Sequence, residues 1–407
     1  VSMTILFLLA TMFIANIGFG VILPTLPFLS RHIGASTVEM GLALSVFAVA
    51  QLLSSTLWGA VSDSVGRRPV LITGIVGYGV SSALLGFAPN VAVLLVLRFL
   101  AGLFASAVMP SSLALASDWT APHDRARILG YMGSMNGIGF VFGPPIGSFL
   151  SLIGLQVPFF CVGLLAILNG LLAFRLLPRE QRPAAVVSDR SRRPDLSLLG
   201  GFWPGAKRGR MRIAPFLVGS FVFSLADASI TATLAYYLIG RLHSDEIMAG
   251  WAFMVNGCMG ALAQGMMFSN VYRRFGEAVT ILLGFSFGVL GYLTLGFAQW
   301  LAWAFAAIAL LALCRGFAYP AMTTAISIRT PRESQGSSFG AQSACNSLGR
   351  VIGPLLAGWL FARQEQSPYF VSSGLMLATI GLYLLWAQRT RKQTIGESRA
   401  DSVHDTL

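Results

Sequence analysis

The chain has 407 residues, of which 55% are hydrophobic and 11% charged; its mean hydropathy is +0.71 and its formal charge +12. Soluble domains carry roughly 25% charged residues, so a soluble globular protein is excluded and a polytopic membrane protein is indicated. The basic excess is almost all Arg, since only Lys207 and Lys392 are lysines. It is spread over many short segments and forms no single basic surface of the kind nucleic acid requires.

Apolar runs of about 20 residues or more can cross a bilayer as helices, and they predict twelve spans. These lie at 3–29, 39–61, 69–88, 91–119, 124–153, 156–177, 213–240, 246–271, 277–298, 300–328, 335–362 and 368–388. The first run reaches Leu29 without a basic leader or a cleavage motif, so it reads as a span and not as a signal peptide. Between the second and third runs lies a short charged turn, Gly59-Ala60-Val61-Ser62-Asp63-Ser64-Val65-Gly66-Arg67-Arg68. Arg-rich short loops stay in the cytoplasm, so Arg67 and Arg68 orient the chain and place both termini inside. Of the 28 basic residues, only Arg31, Arg241 and Arg363 then fall outside, and Arg98, Arg315 and Arg350 lie within spans. The Pro- and Arg-rich stretch Pro178–Arg212 is expected to be a cytoplasmic linker. It divides the chain into a first half at 1–177 and a second at 213–388, with a cytoplasmic tail at 389–407.

The halves match at a constant offset of 210. Gly130 pairs with Gly340, Asn136 with Asn346, Gly139 with Gly349, and Gly143-Pro144 with Gly353-Pro354; Pro110 pairs with Pro320, Gly66 with Gly276 and Arg31 with Arg241. The fold class expected is therefore an all-α membrane protein of twelve transmembrane helices in two six-helix pseudo-repeats. Parallel repeats around a central path are one architecture of secondary transporters.

Three motifs carry a family resemblance. Gly59-x-x-x-Asp63-x-x-Gly66-Arg67-Arg68-x-x-Leu71 resembles the loop signature of the major facilitator superfamily. Gly130-x8-Gly139-x3-Gly143-Pro144-x2-Gly147 resembles its fifth-helix antiporter signature, with Ser148 where a final Gly is usual, and Arg98-x-x-x-Gly102 resembles its fourth-helix signature, with Ala101 in place of a common Gln. The resemblance points to the twelve-helix drug:proton antiporter branch, which includes tetracycline-type efflux pumps. It implies a major facilitator fold and a cytoplasmic latch made by Asp63, Arg67 and Asp118, with Arg68 beside it. In the second half Arg273 stands in the place of Asp63 and Glu277 in that of Arg67, so the charges there are inverted.

Physical reasoning on the fifth span agrees with a gating role. Its glycines let another helix approach closely, and Pro144-Pro145 should bend it. Gly139, Gly143 and Pro144 are expected at the interface between halves, where the helix would seal the path. Charges within spans are costly unless paired or wetted, which marks Arg98, Asp227, Arg315 and Arg350 as cavity candidates, the alternative being a salt bridge or backbone pairing within one half. Asp227 is the sole acidic residue deep in a span. Burial favours its neutral acid and a nearby guanidinium favours the carboxylate, so it is the candidate for proton coupling; the first span offers only Asn16, which cannot titrate. Polar, Met and aromatic positions expected along the path are Asn16, Gln51, Met109, Met135, Asn136, Tyr236, Trp251, Asn256, Tyr319 and Asn346, together with Arg98, Arg315 and Arg350.

An enzyme is not expected. The chain has no Gly-x4-Gly-Lys-Ser/Thr loop, and His32, His123, His243 and His404 show no metal-ligand spacing. Cys161, Cys258, Cys314 and Cys345 all fall in apolar runs and read as packing residues. No metal or cofactor is expected, and the partners are a small-molecule substrate, protons and the lipid bilayer, with the protein acting as a monomer. The sequence thus reads as a proton-coupled secondary transporter of a bacterial inner membrane, exporting small amphipathic compounds by alternating access. The alternative is a dedicated transporter of an anionic metabolite such as a carboxylate siderophore, because three deep Arg residues face one Asp.

Overall fold

The computed structural model describes residues 3–121, 124–178, 207–331 and 335–404. They form twelve α-helices: α1 (Met3–His32), α2 (Thr37–Val65), α3 (Arg67–Leu85), α4 (Val91–Asp118), α5 (Arg125–Ser151), α6 (Val157–Leu176), α7 (Lys207–Gly240), α8 (Glu246–Leu262), α9 (Phe268–Gly296), α10 (Leu301–Arg329), α11 (Gln335–Arg363) and α12 (Ser367–His404). A five-residue π-helical segment, Ala263–Met267, carries α8 into α9. Most of the expected linker, 179–206, lies outside the described residues, as do the side chains of Asp63 and of 389–407.

Glycine and capping residues set the boundaries. Gly66 separates α2 from α3 at φ 110°, and Gly276 breaks the α9 run at φ 76°; both conformations favour a residue without Cβ. The eighth and ninth expected spans therefore part at Gly276, inside the α9 run. Ser36 and Glu39 form a reciprocal capping box at the start of α2. Asn90 caps α4 by accepting from the Val93 N–H at 3.0 Å, and Asp245 caps α8 by accepting from the Met248 N–H at 2.8 Å, each satisfying an amide the helix leaves open. Two helices overrun expectation: α7 begins at Lys207, before 213, and α12 continues past 388 to His404. Beyond 388 the sequence contains no proline to stop it.

Helix α1 packs on α5, α2 on α4, and α3 on both α4 and α6; α7 packs on α11, α8 on α10, and α9 on both α10 and α12. The two groups meet where α2 lies along α11 and α5 along α8. Among the described residues nine runs are long and apolar enough to cross a membrane, with 246–296 counted as one. Helices α5 and α11 are not among them, because Gly, Ser and Asn replace bulky apolar residues along their length. These small residues bring backbones close. A Cβ on Gly143 would come 2.6 Å from the Gly20 Cα of α1, and one on Gly349 would come 2.7 Å from the Leu225 N of α7.

Among the described residues the hydrogen bonds between the two groups gather at one end. Near the α1–α2 and α7–α8 turns, the Ser45 hydroxyl donates to the Val351 carbonyl at 2.6 Å, Thr37 to Gly358 at 3.2 Å, Tyr236 to Pro27 at 3.1 Å, and Ser151 to the Glu246 carboxylate at 2.7 Å. Gly250 and Gly257 of α8 lie against Ser148 and Val141 of α5 at the same seam. Toward the opposite end, Gly130, Gly133 and Gly137 of α5 and Gly340 of α11 have nothing within 4 Å of a built Cβ. A cleft therefore opens between the groups at the end where α1 begins.

Candidate functional site

Asp227 of α7 and Arg315 of α10 form an ion pair in mid-helix. Two absent side chains make room for it. The Arg315 Cδ passes 3.8 Å from a Cβ built on Gly260 of α8, and Gly316 lets α10 rest on the π segment at Ala263 and Gln264. The pair is not sealed: the Asp227 side chain is 36% exposed and that of Arg315 28%. Charges so deep in an apolar bundle persist because they are paired and reached by water.

Aromatic rings surround the pair. One turn toward the open end, Phe223 of α7 and Tyr319 of α10 meet at 6.0 Å, so each charged residue has an aromatic neighbour four positions along its own helix. From the other group, the Phe140 ring of α5 lies 5.9 Å from the Arg315 guanidinium carbon. Phe140 stacks on Phe19 of α1 at 6.2 Å, and Phe19 packs on Phe47 of α2 at 6.0 Å. A carboxylate paired to a guanidinium beside apolar ring faces can exchange its cationic partner for another.

Three of the expected path residues lie elsewhere. Arg98 is only 2% exposed; its guanidinium sits 4.4 Å over the Phe47 ring and its Nε donates to the Ala43 carbonyl at 3.5 Å. It binds α4 to α2 and does not face the cleft, because a ring face and a carbonyl satisfy the charge within the first group. Tyr236 is buried with its hydroxyl on Pro27, so it belongs to the closed seam, and Asn256 is buried in α8. Of the others, Met109, Tyr319 and Arg350 are exposed, while Asn16, Gln51, Met135, Asn136, Trp251 and Asn346 are half-buried. Asn16 is bonded to the Met12 carbonyl of its own helix at 2.9 Å, and Trp251 meets Phe149 edge-on at 6.4 Å. The Asn346 Oδ1 is buried without a hydrogen-bond partner. Arg350 stands on α11 between the face that meets α7 at Gly349 and Gly353 and the carbonyl of Val351 that meets α2.

The expected gating residues also divide. Arg67 pairs with Asp118 and donates to the Ala114 carbonyl at 2.8 Å, tying the start of α3 to the end of α4. Arg68 donates to the Phe174 carbonyl and lies 5.4 Å from that residue's ring. The expectation that the α5 glycines face the other half is corrected: Gly139, Gly143 and Gly147 all meet the α1 backbone of their own group. Across the seam α5 meets the glycines of α8 with Val141, the Pro144 carbonyl and Ser148, beside the Ser151–Glu246 hydrogen bond and the Phe149–Trp251 ring contact.

Several residues were not singled out by the sequence. Arg329 grips Glu277 with two nitrogens, at 2.7 and 2.8 Å, and lies 4.7 Å over the Phe216 ring. The 210 offset carries Arg329 to position 119, next to Asp118, so the repeat contained that signal. Phe19, Phe140 and Phe223 gave none, since one Phe among 29 in apolar helices is indistinguishable from packing. Among the described residues no group of three His, Cys, Asp or Glu could hold a metal ion.

Known proteins agree with this architecture. A family model described as Major Facilitator Superfamily matches residues 8–354 and again 216–404. Quinolone resistance protein NorA of Staphylococcus aureus (strain MSSA476) is 27% identical over 93% of this chain and 95% of its own. Tetracycline resistance protein, class C, of Escherichia coli is 30% identical over 87% and 89%. Among solved structures, the nucleoside transporter NupG superposes with a TM-score of 0.76 at 13% identity, covering 95% of this chain and 99% of its own, a likeness of fold alone. The chain belongs to the Major Facilitator Superfamily and is a membrane transporter, not an enzyme.

Proposed function

We propose that the protein is a proton-coupled exporter of small amphipathic compounds, with twelve spanning helices in two six-helix pseudo-repeats that rock about the central cleft. The observation that carries this reading is the water-reached Asp227–Arg315 pair, at mid-helix in a cleft that opens at one end while hydrogen bonds close the other. The matched helix contacts of the two groups support the repeat, and the relatives named for quinolone and tetracycline resistance support export. Arg67, Arg68 and the other basic residues of the open end make that face cytoplasmic, with both termini there, so this is the inward-open state of a monomer in a bacterial inner membrane. Asp227 carries the coupled proton, and Asp63, Arg67 and Asp118 latch the cytoplasmic side when it closes.

Uphill transport in proteoliposomes under an imposed proton gradient tests the assignment. Asp227→Asn should lose accumulation while keeping exchange of substrate down its gradient. Undiminished accumulation in that variant removes Asp227 from coupling. A second reading, an anionic substrate, is favoured by Arg350. With Arg98 buried and Arg315 paired, Arg350 is the remaining deep cation, exposed and with no ion-pair partner among the described residues. Binding of matched anionic, neutral and cationic ligands to Arg350→Gln separates the two readings.

A further inference from the structure

A proton on Asp227 can drive transport only if its arrival changes the relative stability of two arrangements of the halves. Both members of the Asp227–Arg315 pair sit in the second half, on α7 and α10. Neutralising the carboxylate therefore acts first within one rigid group, and something across the seam must register the change. Arg315 makes such a contact: its guanidinium lies 5.9 Å from the ring centre of Phe140, on α5 of the first half.

We propose that Phe140 is the positioning residue through which the first half senses the protonation of Asp227, by way of the guanidinium of Arg315 that both of them touch. The inference rests on the coupling role proposed for Asp227. Its sign follows from electrostatics. A ring face attracts a cation in proportion to the cation's unneutralised charge. While Asp227 is ionised, the carboxylate offsets the charge on Arg315, and the ring sees little of it. When Asp227 takes up a proton, the guanidinium keeps its full charge and turns to the π face. Rotating one half against the other alters the distance between α5 and α10, so a stronger ring contact favours the arrangement that holds it, the inward-open state described here. Proton loading thus drives the carrier inward, and proton loss to the cytoplasm releases it.

The ring is braced for this role. Phe19 stacks behind Phe140 at 6.2 Å, Phe47 backs Phe19 at 6.0 Å, and buried Arg98 lies 4.4 Å over Phe47. The pull on Phe140 is thus borne by α1, α2 and α4 together and is not lost in a side-chain rotation. Other groups face the pair as well: the Tyr292 phenol of α9 and the Cys314 thiol of α10, with the Tyr369 phenol of α12 behind Tyr292; α11 carries Arg350. Helices α1, α5 and α8 carry their charged residues only near their ends. The phenols and the thiol are buried, whereas the Asp227 side chain is partly exposed to the cleft.

The test uses full-length protein in proteoliposomes, with distance labels at the open end and parallel transport assays. In the wild type, acidification should raise the ratio of inward-open to outward-open protein about tenfold. Phe140→Leu should abolish that shift and proton-driven accumulation. Phe140→Tyr, which keeps a ring face, should restore both. Phe140→Met, unbranched and apolar, stands in if the leucine variant does not fold. A wild-type pH shift in Phe140→Leu or Phe140→Met overturns the inference, as does a tyrosine variant that fails like leucine. Asp227→Asn keeps the two ideas apart. If it still responds to acid, the reading of Asp227 is wrong; if it is inert while Phe140→Leu responds normally, only the role of Phe140 falls.

Discussion

Ser148 offers a direct handle on the balance between states. It is 1% exposed at the seam where α5 meets α8, and its hydroxyl has no hydrogen-bond partner there. The backbone of Gly250 presses on it so closely that a Cβ at 250 would collide with the Ser148 side chain. A buried unsatisfied hydroxyl costs about 1–3 kcal/mol, and that cost vanishes once the seam parts and water reaches the group. Ser148→Ala therefore stabilises the seam-closed arrangement selectively. The ratio of seam-closed to seam-open protein should rise by a factor of roughly 5–150. Pulsed spin-label distances between Ile153 and Trp300, both exposed at the closed end of different halves, would report it as a loss of the longer-distance population. An unchanged distribution, or a shift toward longer distances, would refute the reasoning, since the hydroxyl would then carry no penalty at the seam.

Three further outcomes are expected. Arg329→Met removes a two-pronged ion pair and a ring contact, and should destabilise the second half by about 2 kcal/mol, read as a lower Tm in detergent. Glu277→Gln, which keeps the ring contact, should lower it less. Gly143→Leu should prevent accumulation of folded protein because its side chain would meet the α1 backbone, whereas Gly133→Leu, which points into open space, should fold normally; equal yields from the two would contradict the packing described. If the Asp63–Arg67–Asp118 latch operates, Asp63→Asn should increase the inward-open fraction in open-end distance measurements, and an unaltered fraction would leave those charges as topology signals.

The family and the membrane-spanning character were legible because they reside in long-range regularities: apolar runs, the loop signature at 59–71 and the glycine spacing of 130–147. Helix boundaries were legible where one residue dictates a backbone angle, as at Gly66, and blurred where the chain stays helical through a change of register, as at the π segment 263–267. Which way a helical face points was not legible. The glycines of α5 announce a close neighbour, but sequence does not say whether it is α1 or α8, and the structure answers α1. Arg98 shows the same limit for charge. A deep arginine is expensive in either setting, and only three-dimensional placement reveals that Phe47 and a carbonyl, not the cleft, receive it.

The two halves share a scaffold but divide its chemistry. At the open end each half ties the start of one helix to the end of the next. Arg67 holds Asp118 in the first, and Glu277 holds Arg329 in the second. The polarity is reversed, so the scaffold requires a tie there and not a particular sign. In the cleft the asymmetry is sharper. The second half supplies the charges, Asp227, Arg315 and Arg350, together with Phe223 and Tyr319; the first half supplies rings, Phe19 and Phe140, and keeps its one deep cation, Arg98, behind Phe47. A molecule that touches both halves at this level meets an apolar wall on one side and ionic groups on the other. It can satisfy both only if it is itself apolar at one face and polar or charged at another, which is the physical ground for the amphipathic substrate proposed above. The same division fits the proposal that a proton in the second half is felt in the first through an aromatic ring: beside the Asp227–Arg315 pair, a ring face is what the first half presents.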